Sequence, residues 1–160
     1  MPPLPSFLRA LAYGLLTTTT LATLTGIADS KPSCAIVGDS IAVAAGKYIP
    51  DCKVNAKIGI PSGAVIARVD PAAEINVVSA GSNDPDNPDL RANLEHIRAR
   101  ANRVVWILPI DTRARAAVEA VAAAHDDPVV SFAAGSDHVH PRSDSDLARS
   151  IDVVVNAQRS

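Results

Sequence analysis

Aromatic side chains are scarce in this chain: they make up only 3% of 160 residues, as Phe7, Tyr13, Tyr48, Trp106 and Phe132. That leaves a thin platform for stacking sugars or bases, and it hands the interior to Val, Ile, Leu and Ala. Positive charge is not in excess either. The formal net charge is −2, so the basic footprint of a nucleic-acid binder is missing and no nucleic-acid partner is expected. Repeats and low-complexity linkers are absent. Only two cysteines occur, Cys34 and Cys52, and their spacing matches no metal motif. In an exported protein an even pair favours a disulfide. Cys34 also lies on a buried-strand pattern, where a free thiol packs as a small hydrophobe; both states stay open.

What is present amounts to one globular domain behind a different N-terminus. Residues 1–28 carry a single charge, Arg9, and end in the small-x-small site Gly26-Ile27-Ala28 before Asp29. That is the anatomy of a secretory signal. The alternative is an N-terminal anchor, but the threonines Thr17 to Thr20 interrupt the apolar core, and its most apolar part is shorter than the roughly 20 residues a span needs. The expectation is an exported (periplasmic or secreted) domain over 29–160, with no stable membrane span after processing. Removing Arg9 would take its formal charge to −3, from the −2 of the whole chain.

Five segments read as short buried strands: "CAIVG" (34–38), "DCKVNAKIG" (51–59), "INVVSAG" (75–81), "VVWILP" (104–109) and "PVVSFAAG" (128–135). They are rich in β-branched residues, and most stop at Gly or Pro. Helical patterns lie between and after them. Leu90, Leu94, Ile97 and Ala101 form one apolar stripe; "DTRARAAVEAVAAAHDD" (111–127) opens on a capping Asp111 or Thr112; "DSDLARSIDVVVNAQ" (144–158) carries Leu147, Ile151 and Val154. Alternating strand and helix predicts α/β architecture, a central parallel five-stranded sheet in a three-layer α/β/α sandwich. Ligands in such folds sit at the carboxyl ends of the strands. The polar clusters "GDS", "GIPSG", "GSND" and "GSDHVHP" all fall there, so they should converge on one rim.

Each cluster alone is ambiguous. Ser40, at a strand-to-helix turn after Gly38, is placed as a nucleophile with an unpaired N–H beside it, or as an ordinary helix cap. The surrounding residues are neither a phosphate loop nor a G-x-S-x-G elbow. Asn83 is a rim hydrogen-bond donor or a turn residue. The acidic "DPDNPD" that follows lacks the Gly and distant Glu of a calcium loop and reads as a rigid connector. Asp137 and His140, three apart, are the orienter and base a serine needs, or members of an ordinary polar turn. A metal site would need more ligands than His138 and His140, and His96 and His125 fall away from the rim.

In this order, "GDS", a Gly at the second strand, "GSND" and "DHVHP" resemble the SGNH (GDSL-type) hydrolase superfamily over residues 33–158. The resemblance implies a flavodoxin-like SGNH fold and no cofactor or metal. It implies Ser40 as nucleophile, His140 as base and Asp137 as its orienter. The oxyanion hole would be the Ser40 and Gly59 N–H groups and the Asn83 amide, with Gly63 the alternative to Gly59. His138 is then a loop residue. One departure is Ala44, where the family often has Gly; Gly46 follows two residues later.

The function expected from the resemblance is a serine esterase cleaving short-chain acyl esters, O-acetyl groups on a cell-surface polysaccharide foremost, through an acyl-enzyme. So short a chain implies an open, shallow site. The partner is a small ester or acylated carbohydrate, and monomer is the default. An acyltransferase or lysophospholipase would use the same residues; a degenerate SGNH-fold binding module would keep the fold alone. A flavin-binding domain lacks both the phosphate loop and the rim aromatics.

Overall fold

The computed structural model describes residues 33–159; the signal or anchor segment expected at 1–28 lies outside the described residues. The elements alternate as the periodicity predicts. They run β1 (Cys34–Gly38), α1 (Ser40–Gly46), β2 (Cys52–Ala56), α2 (Ser62–Val65), β3 (Ile75–Ser79), α3 (Leu90–Arg100), β4 (Arg103–Ile107), α4 (Thr112–Ala124), β5 (Val129–Val130) and α5 (Asp144–Ala157). A single 3₁₀ turn, Ile66–Arg68, follows α2. The five strands pair in parallel in the order β2-β1-β3-β4-β5, which is the doubly wound, flavodoxin-like order.

Two hydrophobic cores flank the sheet, because alternate strand residues face opposite ways. Ala35, Val37, Val78, Val104 and Trp106 meet Leu94 and Ile97 of α3 and Val118 and Val121 of α4. Cys34, Ile36, Ile75, Val77, Val105 and Ile107 meet Ile41 and Ala45 of α1 and Leu147, Ile151 and Val155 of α5. This is the three-layer sandwich expected. With few aromatics, aliphatic side chains fill both layers. Trp106, wholly buried, donates its Nε1–H to Asp127 at 3.0 Å.

Cys34 and Cys52 are register partners on β1 and β2 and form a disulfide, with Cα atoms 4.7 Å apart. Of the two states left open, the bonded one holds. Three segments depart most from expectation. β2 stops at Ala56 rather than Gly59, and α4 ends at Ala124, where Asp126 turns left-handed (φ 53°) and Asp127 is drawn in by Arg98 and Trp106. The last strand keeps only Val129 and Val130 of 128–135. After them the chain leaves the sheet edge and closes on itself: Ala134 bridges Pro141, Gly135 N–H donates to the His140 carbonyl at 2.8 Å, and Arg142 N–H to that of Ala133 at 2.8 Å. Among the described residues, no helix is long and apolar enough to cross a membrane.

Candidate active site

β1 ends at Gly38, whose φ of +138° only glycine adopts readily. A Cβ there would lie 2.0 Å from the Ser79 carbonyl oxygen of β3. The close approach lets Asp39 N–H donate to that same oxygen at 3.2 Å. Asp39, buried, is the N-cap of α1: its Oδ1 accepts from Ile41 N–H at 3.0 Å and from the Ser79 hydroxyl at 2.7 Å. The cap is therefore Asp39, not Ser40. Ser40 becomes the first residue of α1, so its N–H is one the helix leaves unpaired. The serine hydroxyl, relieved of capping, is free for other partners.

Its partner comes from 100 residues away. Ser40 Oγ lies 2.9 Å from His140 Nε2, and His140 Nδ1 lies 2.7 Å from Asp137 Oδ2. The other Asp137 oxygen accepts from the Val139 and His140 N–H groups at 3.0 and 2.9 Å. These bonds, the Val139 N–H first, then the His140 ring and backbone, hold the Asp137 carboxyl well below its ordinary range. An ionised Asp137 accepts the Nδ1 proton, which leaves Nε2 bare to accept from Ser40. Such a chain can draw the serine proton away as its oxygen attacks a carbon. Both side chains are about half exposed, 45% for His140 and 53% for Asp137. Their ion pair is thus water-screened and orients the ring more than it stabilises the fold.

The remaining expected site residues are not part of that hydrogen-bonded chain. Gly59 sits on an exposed left-handed turn (φ 73°), with open space where a Cβ would be. Asn83 Nδ2 donates to the Ile60 carbonyl, one residue on from Gly59, at 3.0 Å, and this leaves its second amide hydrogen uncommitted. Lys57 N–H donates to the Gly38 carbonyl at 2.9 Å. The three segments at the ends of β1, β2 and β3 are stitched together by these bonds. Gly63, the alternative to Gly59, lies inside α2.

Asp84 is the residue that sequence reasoning passed over. It accepts from Ser62 N–H at 3.0 Å, from the Ser62 hydroxyl at 2.6 Å and from Asn87 Nδ2 at 2.8 Å, while Asn93 Nδ2 donates to Ser62 Oγ at 3.0 Å. Ser62 is wholly buried. The acidic connector is thus an anchor that pins the start of α2, and with it the turn carrying Gly59. Short-range sequence signals for this were thin, since Ser62 and Asp84 are 22 residues apart. His125 pairs with Glu95 at 2.9 Å, far from a ligand role. Among the described residues, no group of three or more His, Cys, Asp or Glu could hold a metal ion.

No family model matches the chain, and no curated protein is similar to it in sequence. Among solved structures, it is similar to the C-terminal catalytic domain of Streptococcus pneumoniae peptidoglycan O-acetyltransferase A, determined with a methylsulfonyl adduct. The TM-score is 0.58 at 15% identity, over 79% of this chain and 93% of that one. At that identity the likeness is one of fold.

Proposed function

We propose, from the premise that the chain has the SGNH-hydrolase fold, that it is a serine esterase acting on short-chain acyl esters, O-acetyl groups on cell-surface polysaccharide foremost. The observation that carries the reading is the hydrogen-bonded chain Ser40–His140–Asp137. His140 Nε2 takes the Ser40 proton as Oγ bonds to the ester carbon. The negative charge on the former carbonyl oxygen is met by the Ser40 and Gly59 N–H groups and the free Asn83 amide hydrogen. The carbon–alkoxy bond then breaks, and His140 returns the proton to the departing alcohol. Water repeats the sequence on acyl-Ser40, giving up its proton to Nε2 and releasing the acid.

A second reading has its own support. The similar solved domain is the catalytic domain of a peptidoglycan O-acetyltransferase, and a sugar hydroxyl replacing water in the second half would make this chain a transferase with the same residues. Either activity fits an exported protein, the localisation proposed from residues 1–28.

The test is intact mass after exposure to a fluorophosphonate, beside Ser40→Ala. One adduct on the native protein and none on the variant is expected. No adduct on folded protein would sink the esterase and transferase readings alike and leave a binding module. Acetate release against acetyl transfer to an added glycoside then separates hydrolase from transferase.

A further inference from the structure

A cleft of about 250 Å³ opens beside the candidate site, lined by Ser82, Pro85, Ile110, Asp111, His138 and Val139. Ser82 precedes Asn83, and Val139 precedes His140, so two of its walls adjoin the residues read above as oxyanion donor and base. The chain kinks at His138, a left-handed residue with φ 59°. Through that kink His138 and Val139 line the cleft while the next residue reaches Ser40.

The lining is chemically mixed. Pro85, Ile110 and Val139 supply aliphatic walls; the Ser82 hydroxyl, the His138 imidazole and the Asp111 carboxylate supply polar groups. Asp111 Oδ1 is engaged by Arg113 and Ala114 N–H. Ser82 Oγ is different: it is buried, yet meets no hydrogen-bond partner among the described residues. An unpaired buried hydroxyl is costly, and turning about the Ser82 Cα–Cβ bond to meet a ligand hydroxyl in the cleft would relieve it. The cleft has the room of about eight waters at ~30 Å³ each. That is several times what an acetyl group fills and suits one sugar ring.

We infer that this cleft is the subsite for the alcohol half of the ester, a single neutral hexopyranosyl unit. Ser82 and His138 are its specificity-determining residues. The inference rests on the esterase reading of Ser40. It gives the histidine that the proton chain does not use a part in recognition. Aliphatic C–H faces take the place of the stacking aromatics that the chain lacks. A larger cleft of about 350 Å³ lies between the segment after β5 and α5, lined by residues that include Ser131, Arg142, Asp146 and Leu147. It carries no comparable argument, since none of the site residues lines it and no unpaired buried group faces it.

The experiment compares two substrates, a methyl hexopyranoside acetylated at its primary hydroxyl and p-nitrophenyl acetate, on native protein, Ser82→Ala and His138→Asn. Asn tolerates the left-handed backbone, so the loop keeps its course. The ratio of kcat/KM for the sugar ester to that for the nitrophenyl ester should fall about tenfold in each variant, the size of one or two lost hydrogen bonds, through KM. An unchanged ratio overturns the inference, whether both activities drop together or neither moves. If native protein turns over neither ester, the esterase reading has failed, and the cleft is then judged by NMR titration with the unacetylated methyl glycoside. Saturable shifts at His138 that Ser82→Ala weakens would uphold it, and their absence would overturn it.

Discussion

Replacing Gly38 by alanine tests how the sheet positions Ser40, the proposed nucleophile. The new Cβ would stand 2.0 Å from the Ser79 carbonyl oxygen, where real contacts do not fall below 3.0 Å. β1 and β3 must therefore part by about 1 Å at a fully buried point, and alanine must also hold a φ of +138°. Backbone strain of about 1–3 kcal/mol adds to overpacking of about 1–3 kcal/mol. The Asp39 N–H bond to the same oxygen is weakened too. A loss of about 4 kcal/mol is expected, against the ~5–15 kcal/mol of a whole domain. With an m-value of about 2 kcal/mol/M, the urea midpoint should drop by about 2 M. Moving Asp39 moves Ser40 with it, and a misplacement of about 1 Å costs ~10²-fold in rate. Fluorophosphonate labelling of the folded variant reads that second effect. A variant with the native midpoint would refute the packing argument. One that is destabilised but labels at the native rate would refute the link from Gly38 to Ser40.

Three other perturbations have equally definite outcomes. Reducing the Cys34–Cys52 bond, 18 residues apart, or replacing both cysteines by alanine, should cost about 3 kcal/mol by loop-closure entropy. That is a fall in Tm of about 10 °C; an unchanged Tm in reductant would contradict it. Asn83→Ala should lower kcat by about 10²–10³ with KM little changed; unaltered turnover would remove Asn83 from the mechanism. Asp137 has its folded pKa held below its unfolded value near 3.8, so the unfolded chain takes up the proton first as pH falls. Its contribution to stability is present above about pH 4 and fades below that. The Tm gap between native protein and Asp137→Asn should shrink on acidification, and a flat gap would count against the bonded geometry.

How much of this could be read in the sequence follows from the range of the interactions. β1, β3 and β4 announce themselves as short β-branched runs buried on both faces, and α3 and α5 by apolar stripes at the helical period. Ser40, Asp137 and His140 were legible through their resemblance to a known motif order, not through spacing, since 100 residues separate the serine from its histidine. The failures have the same origin. "PVVSFAAG" is strand-like in composition, yet an edge strand needs pairing on only one side, and the Ala134–Pro141 bridge draws its second half out of the sheet. Asp84 looked like part of a connector because its partners, Ser62 above all, come from another turn of the chain. The capping role went to Asp39 rather than Ser40, a distinction of one residue that no pattern encodes.

The proton chain is assembled from parts of unequal anchorage. Ser40 stands on α1 behind β1, which is held inside the sheet between β2 and β3. His140 and Asp137 hang from β5, two residues long and at the sheet's margin. Segments like the latter open locally at far lower free energy than the core. The domain should thus have an inactive state that is almost entirely folded: 131–143 released, the serine still in place and no base beside it. Amide exchange at Gly135 and Arg142 would be faster than in β1 and β3, and warming would silence labelling before it unfolded the sheet. A ligand that bridges Ser82 and His138 would clamp that segment down and so bring the base back beside Ser40.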